Sequence, residues 1–192
     1  MKLLCTAIVL LCIVGCEHSS QPPVQSVPQF PNSVYEENVS SLDSIGSQSD
    51  SAQEIEFWWR DSTGATHSIR EYKGTTVLLN FWATWCAPCR EELPALRDIA
   101  ANSNDTVIVI GVSTDRTLNT LQMVRSFIDS QNIKYQIILD TSTALFVDYL
   151  TAYSGMEGIP ETYIIGKDGT VKFVLVGSQS EQTFKNYIAK AN

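Results

Sequence analysis

The sequence predicts an α/β fold: a central mixed sheet flanked by helices, with a β-hairpin on its N-terminal side. Three observations carry this expectation. An apolar, β-branched run, Thr76–Trp82, passes within a few residues into a helix-forming segment that begins near Pro88. Downstream, apolar strand-like runs alternate with amphipathic helical ones, the βαβ pattern that produces parallel strands and right-handed crossovers. Two further pairs of short runs, separated by turn residues, predict antiparallel hairpins before and after that unit.

The chain begins with Met1-Lys2 and a 12-residue run, Leu3–Val14, that is apolar except for Thr6. Such a run is too short to span a bilayer and fits the apolar core of a signal peptide. It ends in Ile13-Val14-Gly15-Cys16, which resembles a bacterial lipobox. That resemblance implies cleavage before Cys16, lipidation of Cys16 and export with a lipid anchor. Residues 1–15 are therefore read as a lipoprotein signal peptide. Residues 16–52 lack Lys and Arg, are rich in Ser, Gln and Pro, and carry Glu17, Glu36, Glu37, Asp43 and Asp50. They are read as a lipidated, acidic, disordered tether. At about 5–6 Å times the square root of its length, its reach is roughly 30 Å.

Residues 53–192 have the length of one domain with its own core. The whole chain has a net charge of −8, of which the tether holds −5 and the domain −4, with Lys2 supplying the opposite sign. This acidic balance gives no basis for a nucleic-acid partner.

Within the domain, Ile55–Arg60 and Thr66–Ile69 flank Asp61-Ser-Thr-Gly64 and predict the first hairpin. Trp58 and Trp59 are expected to cover core or hairpin surface, and His67 to lie on the surface. Leu93, Leu96, Ile99 and Ala100 give the helix after Cys86 an apolar stripe. Thr106–Val112 reads as a buried strand, Gly111–Asp115 as a polar turn, and Thr117–Ser130 as a second helix. Tyr135–Leu139 reads as a strand and Ala144–Leu150 as a short helix or turn. Thr162–Ile165, Gly166-Lys-Asp-Gly169 and Val171–Val176 predict the second hairpin. Ser178-x-x-Glu181 has the form of a capping box for a last helix carrying Phe184, Tyr187 and Ile188.

Cys86-Ala-Pro-Cys89 sits where the strand feeds the first turn of the helix. Unpaired N–H groups and the positive end of the helix dipole favour a thiolate there, most of all at Cys86. A Cys86 thiolate can attack a disulfide, and Cys89 can then displace the product. Cys5 and Cys12 leave with the signal peptide and Cys16 is lipidated, so this pair holds the remaining thiols. A zinc site would need ligands beyond His18, His67 and Cys16, which stand in unrelated contexts, and a purely structural bridge would close too short a loop to constrain the unfolded chain much. The reading is thiol–disulfide exchange with no cofactor and no metal.

Four stretches, Asn80-Phe-Trp-Ala-Thr-Trp-Cys-Ala-Pro-Cys89, Gly111–Asp115, Gly158-Ile-Pro-Glu-Thr-Tyr-Ile-Ile165 and Gly166–Gly169, resemble the TlpA/ResA-like, membrane-anchored thiol–disulfide oxidoreductases of thioredoxin-like fold. The resemblance runs from about Phe57 to the C-terminus. It implies that Pro160 is cis and faces Cys86 and Cys89, and that the Ile159 backbone pairs with a substrate strand. Trp85, Ile159 and Pro160 form the expected substrate-binding set. The resemblance also implies that Glu92 takes the proton of Cys89 and that Pro94 kinks the helix. Asn80 stands where ordinary thioredoxins often have an aspartate, and an amide cannot accept that proton.

The leading expectation is a lipid-anchored reductase of protein disulfides, with its catalytic domain on the periplasmic or outer side of a bacterial membrane. It implies a disulfide-containing protein substrate, such as apocytochrome c, and a membrane electron donor. Ala87-Pro88 adds no charge to over-stabilise a Cys86 thiolate, which favours a reductant over an oxidase or isomerase. A copper-binding assembly factor would require CxxxC and a distant His, and a peroxiredoxin would have Thr and Pro ahead of its cysteine in place of Trp85.

Overall fold

The computed structural model describes residues 38–45, 54–140 and 158–191. Residues 1–37, Cys16 among them, lie outside the described residues, as does the short helix or turn expected over Ala144–Leu150. Eight strands form one mixed sheet: β1 (Val39–Ile45), β2 (Phe57–Arg60), β3 (Thr66–Ser68), β4 (Thr76–Trp82), β5 (Val107–Ser113), β6 (Gln136–Leu139), β7 (Glu161–Ile165) and β8 (Val171–Val176), in the order β3-β2-β1-β6-β5-β4-β7-β8. The described helices are α1 (Ala87–Asn102), α2 (Thr120–Ser130) and α3 (Glu181–Ala191), and a short 3-10 helix covers Ile69–Tyr72.

Strand β4 is central, and all seven of its residues are buried. It runs parallel to β5 and antiparallel to β7. Because side chains alternate across a strand, Val77, Leu79 and Phe81 enter one core with Phe57, Trp59 and Ile69, as expected for the tryptophan hairpin. Leu78 and Trp82 enter the other, beneath α1, together with Cys86, Cys89, Leu93 and Leu96. Asn80 belongs to that second face and lies in one row with Gly111 of β5 and Thr162 of β7. A Cβ at Gly111 would stand 2.8 Å from Ile137 and 2.9 Å from the Trp82 indole nitrogen. Glycine is what lets these side chains close over the strand.

Strand β1 is a correction to the expected domain boundary. The composition of Val39–Ile45 places it in the tether, yet it pairs parallel to β6 and antiparallel to β2. Its sequence, Val-Ser-Ser-Leu-Asp-Ser-Ile, does not alternate apolar with polar, and its register breaks between Leu42 and Ser44. Val39 enters the helix-side core and Leu42 the opposite one. The serines that read as linker are accommodated: the buried Ser40 hydroxyl accepts from Gln136 at 2.9 Å. Asp43, counted as tether charge, pairs with Arg60 at 3.0 Å. Residues 46–53 lie outside the described residues.

Smaller differences are local. Strand β5 bears out the expected strand as far as Val112 and runs one residue further, through Ser113, into the stretch that the sequence predicts as a polar turn. The last helix is capped by Ser180, whose hydroxyl accepts from the Thr183 N–H at 3.1 Å, and not by Ser178. Both expected hairpins, β2–β3 and β7–β8, are present. Within the first, His67 lies partly exposed between Asp61 (3.0 Å) and Glu71 (3.1 Å). Hydrogen bonds to these two carboxylates raise its pKa.

Strand β1 joins the β2–β3 hairpin to the rest of the sheet, so removing it uncouples them. A chain that starts at residue 53 is expected to be less stable than one that starts at 38 by about 3–6 kcal/mol, from the lost burial of Val39 and Leu42. Equal urea midpoints for the two chains would contradict the assignment of β1.

Candidate active site

Cys86 is the N-cap of α1, and its sulfur accepts the Cys89 N–H at 3.2 Å. The first turn, Ala87-Pro88, tolerates proline because the first N–H groups of a helix have no intrahelical partner. Cys86 and Cys89 are joined as a disulfide. Cys89 is fully buried, whereas Cys86 retains 5% exposure. Of the two, only Cys86 keeps any contact with solvent.

The Ile159–Pro160 peptide is cis, and the Ile159 carbonyl oxygen lies 3.8 Å from the Cys86 sulfur. Trp85, the residue before Cys86, is 68% exposed. Cys86 and Ile159 are thus brought together, beside the buried Pro160, and Trp85 is exposed next to Cys86 in the chain. The loop ahead of Cys86 is clamped: the buried Asp115 carboxylate accepts from the Thr84 N–H (2.9 Å), the Thr84 hydroxyl (2.8 Å) and the Ser113 hydroxyl (2.9 Å). Arg90 is exposed on the first turn.

Glu92 lies one helical turn below Cys89, in the buried stripe of α1 with Leu93, Leu96 and Ile99. It is only 1% exposed. Its Oε1 accepts from the Asn80 amide at 2.7 Å and its Oε2 from the Gln179 N–H at 3.0 Å. Asn80 also donates to the Thr162 hydroxyl at 2.9 Å. Burial pushes the Glu92 pKa up to about 7, with the two hydrogen bonds opposing it. A carboxyl group with that affinity changes protonation state near neutrality, as an acid–base group must. Pro94, inside α1, has no N–H to offer the Arg90 carbonyl.

Asn80, read from sequence only as a residue unable to accept a proton, donates to the Glu92 carboxylate. Local sequence pattern marks none of Thr84, Asp115, Thr162 and Gln179 as part of the site. The available signal was Asn80 itself, a polar residue amid a wholly apolar run. Among the described residues no three or more His, Cys, Asp or Glu side chains cluster as a metal site, and no helix is long and apolar enough to cross a membrane.

Residues 49–174 match the AhpC/TSA family. The chain is similar to the thioredoxin-like protein YneN of Bacillus subtilis, 31% identical over 130 residues that cover 68% of this chain and 73% of that protein. It is similar to the thiol–disulfide oxidoreductase ResA of Bacillus anthracis, 28% identical over 131 residues, 68% and 71% of the two chains. Among solved structures, a thiol:disulfide interchange protein of the thioredoxin family from Chlorobium tepidum superposes with a TM-score of 0.61 at 26% identity, covering 72% of this chain and 94% of that one. StoA of Bacillus subtilis gives 0.54 at 25% identity, covering 71% and 98%.

Glu92 also makes the fold sensitive to pH. Its folded pKa, about 7, lies above the ordinary value of 4.5. Below about pH 4.5 the carboxyl is protonated in folded and unfolded chains alike and has no effect on the balance. Between 4.5 and 7 the unfolded chain ionises first, stability falls, and the loss levels off above pH 7. Glu92→Gln is expected to relieve this, stabilising the oxidised protein at pH 8 by about 1–3 kcal/mol relative to its effect at pH 4. Parallel wild-type and variant curves in chemical denaturation across pH would contradict the buried, up-shifted carboxyl.

Proposed function

We propose that this chain, which belongs to the AhpC/TSA family and is a thiol–disulfide oxidoreductase of thioredoxin-like fold, is a lipid-anchored reductase of protein disulfides in the cell envelope. The observation that supports this most is the stack of Cys86, Cys89 and Glu92 beside the cis-Pro160 loop. In the dithiol form, Cys86 as thiolate attacks one sulfur of a substrate disulfide. A mixed disulfide forms and the other substrate sulfur leaves as a thiolate that takes up a proton. Cys89 then gives its proton to the Glu92 carboxylate and attacks the Cys86 sulfur. The second substrate sulfur departs, and Cys86–Cys89 closes as the disulfide present here. Two electrons pass to the substrate, and a membrane electron donor must return them.

Trp85, Ile159 and Pro160 are assigned to substrate binding. Trp85 offers apolar area, and the Ile159 carbonyl offers a backbone acceptor beside the reacting sulfur. The reducing direction is supported by the charges at the site. An oxidant needs a strongly stabilised thiolate. Here Cys86 has the helix N-terminus and the Cys89 N–H, no charged residue intervenes before Cys89, and an ionised Glu92 below disfavours a second negative charge. The paired cysteines of apocytochrome c are one substrate consistent with the resemblance to ResA-type proteins. Cys16 is the assigned point of lipidation, and it places the domain outside the membrane that holds it.

Cys89→Ser, expressed in cells, is expected to accumulate as mixed disulfides between Cys86 and envelope proteins in the membrane fraction. Adding Cys16→Ser should move these adducts out of that fraction. Non-reducing electrophoresis reads both results. Absence of adducts would remove the exchange reaction, and unchanged membrane association would remove the anchor.

A further inference from the structure

Both oxygens of the Glu92 carboxylate lead back to the segment that bears Pro160. One route runs from Oε1 to the Asn80 amide and on to the Thr162 hydroxyl, two residues beyond Pro160. The other runs from Oε2 to the Gln179 N–H. The Gln179 side chain in turn donates to the carbonyls of Val176 (3.0 Å) and Gly177 (2.9 Å), and the Gly177 N–H donates to the Pro160 carbonyl at 2.9 Å. Gly177 has a φ of +76°, a conformation that glycine adopts without steric penalty. The turn is thus shaped so that one N–H meets the Pro160 loop and another, two residues later, meets the buried carboxylate.

We infer that Gln179 is a positioning residue for Glu92: its side chain straps the Val176–Gln179 turn, and so fixes the carboxylate below Cys89 relative to the Pro160 loop. Any residue but proline supplies the N–H at position 179. What glutamine adds is the pair of bonds that aims it. A hydrogen bond from that N–H favours the charged carboxylate over the neutral acid. Loosening the turn therefore raises the proton affinity of Glu92, which leaves less carboxylate to accept from Cys89 at neutral pH. The titratable groups bearing on Glu92 are Tyr135, whose phenol is itself pushed up by burial and by Glu92, and, after reduction, Cys86 and Cys89. Asn80, Thr162 and Gln179 are neutral.

The inference depends on Glu92 as proton acceptor only where it concerns rate, so two readouts separate the claims. In the oxidised full chain, where neither cysteine of the pair titrates, 13C NMR of labelled glutamate follows the resonance that disappears in Glu92→Gln. Its midpoint, near pH 7 in the parent protein, is expected to rise by about one unit in Gln179→Met, a substitution of similar length without donors. Ser178→Ala, next to it and exposed, should leave the midpoint in place. In the reduced full chain, the pH–rate profile for reduction of a protein disulfide should move upward by the same amount, a several-fold loss at pH 7 that is regained in alkali. An unmoved NMR midpoint in Gln179→Met overturns the inference. A moved midpoint with an unmoved rate profile, in this variant and in Glu92→Gln, upholds the positioning and removes Glu92 from the proton transfer. Gln179→Ala serves as a second variant if the methionine perturbs packing.

Discussion

The site depends on a carboxylate placed where water does not reach it, one turn beneath a pair of sulfurs. Burying a charge is unfavourable, and the protein answers with one donor for each oxygen: an amide from the central strand and a backbone N–H from the approach to the last helix. The two donors offset only part of the penalty, so the group titrates near neutrality instead of near pH 4. That incomplete compensation is what gives the residue a proton it can exchange at working pH. It also ties the chemistry to three parts of the fold at once: β4, α1 and the turn after β8.

The rest of the architecture places the sulfurs relative to this group. Strand β4 sets Asn80 on the helix-facing side by alternation, in one row with Thr162 and Gly111. The absence of a side chain at Gly111 lets Trp82 and Ile137 pack close to the row. Asp115 holds Thr84, and with it the loop that delivers Cys86 to the helix N-terminus. Cys89 ends fully buried, and the Cys86 sulfur lies 3.8 Å from the Ile159 carbonyl oxygen.

The central architecture was legible because burial and period agreed there. Strand β4 is apolar on both sides, α1 has its stripe at Leu93, Leu96 and Ile99, and the turn at Gly166–Gly169 has the residues a hairpin requires. Strand β1 was not legible, since its buried Ser40 bonds a polar partner 96 residues away, Gln136, and its register break removes alternation. The cysteines announced themselves by spacing and context. The partners of Glu92 did not, because Asn80, Thr162 and Gln179 lie 12 to 87 residues from the groups they bond, and only the sheet register brings them together. Local sequence fixes which residue can react; long-range pairing fixes its proton affinity.

The direction of electron flow is the central claim, and the reduction potential of Cys86–Cys89 tests it most directly. In a chain covering residues 38–192, equilibrated in thiol buffers, Trp82 in the core and Trp85 at the surface report the disulfide by fluorescence. A neutral Ala-Pro linker above a buried carboxylate predicts a potential near or below about −250 mV, in the range of reducing thioredoxins. A value between about −120 and −180 mV would place the protein with oxidases and isomerases and contradict the account.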